Sequence, residues 1–315
     1  MTMTAAVAAG IDAGKFYLDV GIEPSRQHFR VANAVEGIED AVARLQGQGV
    51  RKVVLEAIGP FAQPVVRRLA LAGFEVGLIN PRRIKAFRDA EGKRAKTDRL
   101  DARLIARFAV QMTDALRPVP TEGQQRLKAL AARRRQLVEM SAMEKTRLKQ
   151  TSDPRLCESH RYAIAALTAE RIRIEADLEA SLAAEPPLAR KQAILRSLPG
   201  FGPVVSTTLI TDLPELGALD RRAIASLAGL APHPSQSGTS IGRNQIGGGR
   251  PCVRTALYMA ALVASRSNPR FRAEYQAMRI DGKPAKVALI AIARKLLVLA
   301  NSLVKNDMLY DPAHT

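Results

Sequence analysis

Four carboxylates occupy positions from which they could act on one substrate. Asp12 closes the apolar run Val7-Ala8-Ala9-Gly10-Ile11-Asp12, and Glu56 closes Lys52-Val53-Val54-Leu55-Glu56. Acids at strand ends project into a shared site at the rim of a sheet. Asp98 and Asp101 lie in Lys96-Thr97-Asp98-Arg99-Leu100-Asp101-Ala102. On a helix, positions i and i+3 share one face, with Cβ atoms about 5–6 Å apart. Thr97 or Asp98 is expected to cap that helix. Two strand-end acids facing two helix acids can hold a pair of Mg²⁺ ions, which prefer oxygen ligands. Metals about 4 Å apart stabilise both the attacking and the leaving oxygen in phosphoryl transfer. Each acid alone has a plainer reading. A strand-end Asp commonly forms a turn, and a DxxD pair is commonly a solvated face or a partner of the helix dipole. The setting distinguishes the set: residues 82–107 hold ten Lys/Arg against four Asp/Glu.

A second cluster follows Leu227-Ala228-Gly229-Leu230-Ala231-Pro232. It runs through His233-Pro234-Ser235-Gln236-Ser237-Gly238-Thr239-Ser240, then Arg243 and Gly247-Gly248-Gly249-Arg250. Residues 238–272 contain six arginines and no acid. A Gly-rich loop with hydroxyls and arginines can cradle phosphate on backbone N–H groups, or be simply a polar loop. A serine in it becomes a nucleophile if a base is near or its hydroxyl is acidified. His233 is a neighbouring candidate base. Leu198-Pro199-Gly200-Phe201-Gly202-Pro203 reads as a helix-hairpin-helix turn whose amides hold a DNA phosphate without reading sequence, or as an ordinary αα-turn. Gly200, Gly202, Arg243, Arg250 and Arg254 are the nucleic-acid-binding candidates.

The elements that must position these residues read as α/β followed by α. The first third has the order βββαβαβ then helix, with strands near 7–12, 16–22, 28–32, 52–56 and 74–79 and helices near 38–46 and 61–71, which suggests a mixed sheet. Residues 81–110 read as a basic helical stretch, and Pro118 and Pro120 as a linker. From 122 to 185 the chain is helical and polar. Leu127, Leu130 and Leu137, then Ile164, Leu167, Ile174 and Leu178, recur at heptad-like spacing, and Ser152-Asp153-Pro154 divides them. A helical hairpin or coiled-coil arm fits this pattern, and so does a pair of ordinary amphipathic helices. Pro186-Pro187 is expected to end the region. The rest reads as a mostly helical domain with one long loop over 232–251. The expected division is 1–120, 121–187 and 188–315.

The 315 residues suffice for two domains and bury about 75% of the unfolded surface without disulfides or structural metal. Lys+Arg outnumber Asp+Glu by 48 to 30, a net charge of +18. That charge calls for a polyanionic partner, nucleic acid first and an anionic membrane surface second. Aromatics are 4% with no Trp, so binding should rest on Arg and Lys contacts to phosphate and weaken with salt. Cys157 and Cys252 form no CxxC, which leaves out a zinc knuckle. The start lacks a basic n-region and no uninterrupted apolar run reaches 18 residues. The expected setting is the bacterial cytoplasm, without a membrane span.

Taken together, Gly-Ile-Asp12, Leu-Glu56-Ala, Lys-Thr-Asp98-Arg-Leu-Asp101-Ala, Leu-Pro-Gly-Phe-Gly-Pro, Ala-Gly-Leu-Ala-Pro, Gln-Ser237-Gly, Gly-Gly-Arg250, Arg254 and Ala-Leu-Tyr258-Met resemble the DEDD transposases of bacterial insertion sequences. That group includes the Piv-type invertases and the bridge-RNA-guided recombinases, and the resemblance runs over nearly the whole chain. It implies an N-terminal RNase H-like domain similar to the RuvC-like Holliday-junction resolvases, a helical arm, and a mostly helical C-terminal domain with a catalytic serine. It implies that Asp12, Glu56, Asp98 and Asp101 ligate two Mg²⁺ ions. It implies that Ser237 attacks a DNA phosphate through a covalent phosphoserine link, Ser235 and Ser240 being less favoured. It further implies a homo-oligomer, dimer to tetramer, assembled through the arm, and a noncoding bridge RNA as guide. The rival readings are a protein-only invertase, a resolvase-like nuclease using metal-bound water, an actin-type ATPase built on Asp12-Ala13-Gly14-Lys15, and a non-catalytic DNA-binding protein. The ATPase lacks a second Gly-rich phosphate turn in the first half, and the non-catalytic protein leaves the acids within the basic stretch unexplained.

Overall fold

The structure is a computed structural model and describes residues 7–56, 59–92, 98–112, 117–119, 121–233, 236–237, 240–241 and 245–312. The chain divides into two compact units, Met1–Pro120 and Thr121–Thr315.

Unit 1 contains β1 (Ala8–Ala13), β2 (Tyr17–Glu23), β3 (Gln27–Ala32), α1 (Val35–Gly47), β4 (Lys52–Glu56), α2 (Gln63–Leu71), β5 (Glu75–Ile79), α3 (Pro81–Ala90), α4 (Asp98–Gln111) and β6 (Arg117–Pro118). The sheet order is β3-β2-β1-β4-β5-β6. β1, β4 and β5 are mutually parallel and the remaining pairs antiparallel. The mixed sheet expected from the sequence is therefore present. Two local expectations change. The basic stretch over 81–110 is two helices, because Asn80 caps α3 through Arg82 N–H at 2.9 Å and α4 begins anew at Asp98. Pro118 belongs to an edge strand on β5, where its missing N–H costs no ladder bond.

Side chains alternate across each strand, so the sheet has two different faces. Ala9, Ile11, Leu18, Val20, Ile22, Val53 and Leu55 pack with Ala41, Leu45, Val65 and Leu69 of α1 and α2. On the other face Ala8, Val54 and Ile79 pack with Ile84 of α3 and Leu104, Ile105 and Phe108 of α4.

Unit 2 begins with α5 (Glu122–Gln150) and α6 (Pro154–Ala183). A capping box between Thr121 and Gln124 starts α5, and Asp153 caps α6 by accepting from Leu156 N–H. The two helices run antiparallel, since Arg134 meets Glu175 at 2.8 Å and Glu144 meets His160 at 2.7 Å. The His160 hydrogen bond, helped by Arg147, holds the Glu144 carboxyl below its ordinary pKa. Leu127, Ala131, Leu178 and Leu182 are buried in the unit 2 core, together with residues from the C-terminal helices. The near end of the helix pair is thus part of that core.

The chain continues through α7 (Pro186–Ser197), α8 (Pro203–Asp212), α9 (Arg221–Leu227), four two-residue strands β7 (Pro232–His233), β8 (Gln236–Ser237), β9 (Ser240–Ile241) and β10 (Gln245–Ile246), then α10 (Pro251–Ser267), α11 (Pro269–Ile280) and α12 (Ala285–Lys305). Pro186-Pro187 opens α7 rather than only ending the preceding region, because proline is pre-organised for a first turn and lacks only an N–H that has no helical partner there. The loop over 232–251 carries nested ladders, β7 with β10 outside and β8 with β9 inside. α12 is long and apolar enough to cross a membrane by length and composition. In the sequence, Arg294 and Lys295 interrupt this apolar run. Half of its most apolar stretch is buried, with Leu289, Ile292, Leu296, Ala300 and Leu303 in the unit 2 core.

Candidate active site

Asp12, one residue before the end of β1, and Glu56, the last residue of β4, lie at the C-terminal ends of adjacent parallel strands. The register pairs Gly10 with Val54 and Ile11 with Leu55, and each acid is the next residue on its own strand. Neighbouring strands lie about 4.8 Å apart, so both half-buried carboxylates start side by side at one edge of the sheet. Both lie on the α4 face. Val54, two residues before Glu56, packs with α4, and Gly10, two residues before Asp12, lies against its backbone.

Gly10 and Gly21 set the approach of α4. They are register partners on β1 and β2. A Cβ on Gly10 would lie 2.8 Å from the carbonyl carbon of Ile105, and nearer still to backbone of Ala102 and Ala106. One on Gly21 would lie 2.8 Å from Arg103 N. α4 answers with the fully buried small residues Ala102, Ala106 and Ala109. The helix runs antiparallel to β1, with its C-terminal turns packed by Ala8 and its N-terminal turns toward Asp12. That direction carries Asp98 and Asp101 to the end of the sheet where β1 and β4 finish. Asp101 is 7% exposed and accepts from Arg88 of α3 at 2.6 Å. Asp98 is the first residue of α4; its side chain, like Thr97, lies outside the described part. Among the described residues no three His, Cys, Asp or Glu side chains stand close enough to form a complete metal site. The donors are all oxygens, which suits a hard divalent cation.

Residues that the sequence reading did not single out support this edge. Asn33 donates from Nδ2 to the carbonyl oxygens of Gly14, at 2.8 Å, and Phe61, at 3.0 Å. It therefore ties together the turns that follow Asp12 and Glu56. Asp19 is the cross-strand partner of Asp12 and is 3% exposed. Arg30 donates to it from Nε at 3.0 Å and NH2 at 2.8 Å, and His28 lies 2.9 Å away. Like charges directly opposite are destabilising, and these partners offset the second carboxylate beside Asp12. Only the pairing of β2 with β1 and β3 reveals this group.

Ser237 lies in β8 and pairs with Ser240 across the inner ladder. Its side chain, Ser235, Gly238 and Arg243 lie outside the described part. The base of the loop is held by arginines assigned above to nucleic acid. Arg250 donates to Glu215 through two bonds of 2.6 Å and to the Asp212 carbonyl at 2.8 Å. Arg254 donates to the Gly248 carbonyl at 2.9 Å. Burial, and then Asp212, pushes the neighbouring Cys252 thiol above its ordinary pKa, which leaves it a poor nucleophile. Gly200 has φ +79°, and a Cβ there would run into backbone of Ala260 and Ala264 on α10. Gly202 caps α8 with open space beside it. Beside β7 and β10 is a groove of about 1330 Å³, with Pro232 and Ile246 on its wall and Arg221, Arg270, Lys286 and Arg294 among its lining cations.

The Arg250 contacts yield a prediction. Arg250→Met strips Glu215 of its bidentate partner and is expected to lower the stability of unit 2 by about 2 kcal/mol. Chemical denaturation measures that, and a salt titration of DNA binding is expected to keep its slope. A slope reduced by about one, with unchanged stability, would make Arg250 a phosphate ligand instead.

Two family models match separate stretches of the chain. A model of the DEDD type described as a transposase matches residues 9–153, and one described as the transposase IS116/IS110/IS902 family matches residues 192–276. The chain is 27% identical over 271 residues to the pilin gene-inverting protein of Moraxella bovis, covering 82% of this chain and 81% of that one. It is 32% identical over 135 residues to an insertion element IS900 protein of 42 kDa from Mycobacterium paratuberculosis, covering 40% of this chain and 32% of that one. Among solved structures, Thermus thermophilus RuvC in complex with a Holliday junction matches at 18% identity and a TM-score of 0.28, over 36% of this chain and 99% of that one. The chain belongs to the IS110 family of transposases and is a DNA-recombining enzyme.

Proposed function

We propose that the protein cleaves and rejoins DNA strands through a serine-linked intermediate at a site completed by carboxylate-bound Mg²⁺. The observation that supports this most is the gathering of Asp12, Glu56 and the N-terminal turns of α4 at one sheet edge. Asp12, Glu56, Asp98 and Asp101 are the ligands. Bound there, two Mg²⁺ ions would supply charge stabilisation at the scissile phosphate.

The serine oxygen of Ser237 attacks phosphorus, the bond to the leaving sugar oxygen breaks, and that oxygen takes up a proton. The phosphoserine ester keeps the bond energy, and attack by a hydroxyl end of the partner DNA reverses the step. No nucleotide cofactor is required. Arg and Lys along 82–107 and 238–272, other than Arg250 and Arg254, hold the DNA backbone. A bridge RNA chooses donor and target by base pairing, and the helices α5 and α6 join copies into a dimer or tetramer. Asp101 and Ser237 belong to different units, so neither Met1–Pro120 nor Thr121–Thr315 cleaves alone.

The test incubates the full chain, purified with RNA expressed from its native flanking DNA, with labelled element ends and Mg²⁺. A denaturing gel then reads covalent protein–DNA adducts. Adduct formation that survives in Ser235→Ala and Ser240→Ala but vanishes in Ser237→Ala supports the proposal. Cleavage that persists in Ser237→Ala, with no adduct in any variant, makes the enzyme a hydrolytic nuclease. An absence of discrete RNA makes it a protein-only invertase.

A further inference from the structure

We infer that Arg88 is a resident counter-cation of the carboxylate site, competing with bound metal for Asp101 and leaving that carboxylate when the metal is taken up. The inference rests on the metal-ligand reading of Asp101 given above. Arg88 NH2 lies 2.6 Å from Asp101 Oδ1, with the two side chains 17% and 9% exposed. A carboxylate this buried needs a compensating charge, and Arg88 supplies one from within the chain.

Docking of α3 on α4 has other support. Phe87 and Phe108 meet edge to face with centroids 5.3 Å apart, Ile84 is buried with Leu104 and Ile105, and Arg107 donates to Glu91 at 2.9 Å. Arg107 lies almost two turns further along α4, toward the end away from Asp12. The two ion pairs join the same helices, and only the Arg88 pair reaches a proposed ligand. A guanidinium and a divalent cation on one carboxylate repel, so occupancy by one weakens the other. Once released, Arg88 joins the exposed Arg82 and Lys85 on α3 as a cation available to phosphate.

Calorimetric titration of Mn²⁺ into the full chain without DNA tests this. Arg88→Met is expected to bind Mn²⁺ about tenfold more tightly than the unaltered protein, the low end of the effect of one neighbouring charge. The melting temperature is expected to rise more with Mn²⁺ in Arg88→Met than in the unaltered chain. Arg107→Met is expected to lower stability and leave Mn²⁺ affinity unchanged. Arg88→Gln, which keeps a donor without the charge, guards against misfolding of the Met variant and is expected to tighten binding as well. Equal or weaker Mn²⁺ binding in both Arg88 variants overturns the inference, leaving Arg88 as a tie between α3 and α4. Failure of the unaltered chain and every variant to bind Mn²⁺ overturns the metal-ligand reading itself.

Discussion

Asp12→Asn is expected to abolish DNA strand cleavage while unit 1 stays folded. The substitution is nearly isosteric and keeps a hydrogen-bonding side chain, but it removes the charge with which residue 12 would hold a divalent cation. A metal centre stabilises the transition state by several kcal/mol, and losing about 4 kcal/mol corresponds to about a thousandfold in rate. Folding is expected to be little affected, because asparagine keeps the size and hydrogen-bonding capacity of the half-buried Asp12, which faces another carboxylate across the β1–β2 ladder. Removing one of two opposed negative charges relieves repulsion.

Asp19→Asn is the informative contrast. It sits on the same face and one strand away, but its two partners are Arg30 and His28. Removing that charge weakens the hydrogen bonds from Arg30 and His28 and is expected to cost about 2 kcal/mol of stability. Cleavage by the remaining folded protein should persist. Rates with labelled element ends, paired with denaturation midpoints, separate the two carboxylates. Loss of cleavage in Asp19→Asn with unchanged stability, or full activity in Asp12→Asn, contradicts the assignment.

Gly10→Val is expected to be the most damaging single change to the fold of unit 1. The added atoms would enter space held by the backbone of Ala102, Ile105 and Ala106, and backbone in a buried helix has no rotamer by which to yield. Overpacking a core costs about 1–3 kcal/mol when side chains can shift. Here the helix itself must move, so about 3 kcal/mol or more is expected. The same displacement carries Asp98 and Asp101 away from Asp12 and Glu56, so activity falls even in the fraction that folds. Gly47→Ala at the end of α1 meets nothing within 4 Å and is expected to be neutral or slightly stabilising. Thermal and urea unfolding of the two variants measure the difference. A Gly10→Val protein as stable as the unaltered one would show that α4 does not bear on β1 as described.

The order of strands and helices in the first third was legible because hydrophobic periodicity is local. Apolar runs ending in Asp12 and Glu56, and the breaks at Gly59-Pro60 and Asn80-Pro81, mark the strands and turns within a few residues of their observed bounds. The helices of 122–185 were legible from the same periodicity and from the break at Asp153-Pro154. The basic composition, the absence of a Cys framework and the carboxylate spacing belong to the chain wherever it folds. They pointed to a nucleic-acid enzyme before any coordinates, and the family comparison agrees.

Other features depend on partners remote in the chain. Pro118 reads as linker until β5 offers an edge for it. Gly10 and Gly21 are unremarkable in sequence and become necessary only because α4 crosses them. Arg250 and Arg254 carry the same charge as any phosphate-binding arginine, yet carbonyls and Glu215 already hold them within unit 2. Asp19 acquires a meaning from strands on either side of it, and Arg88 from a helix that begins ten residues later. Residue type and spacing determine which chemistry a chain can attempt, since they set charge, donor atoms and local periodicity. Which acid is paired with an arginine is decided by packing, because a buried charge is governed by whatever the fold brings within hydrogen-bonding distance.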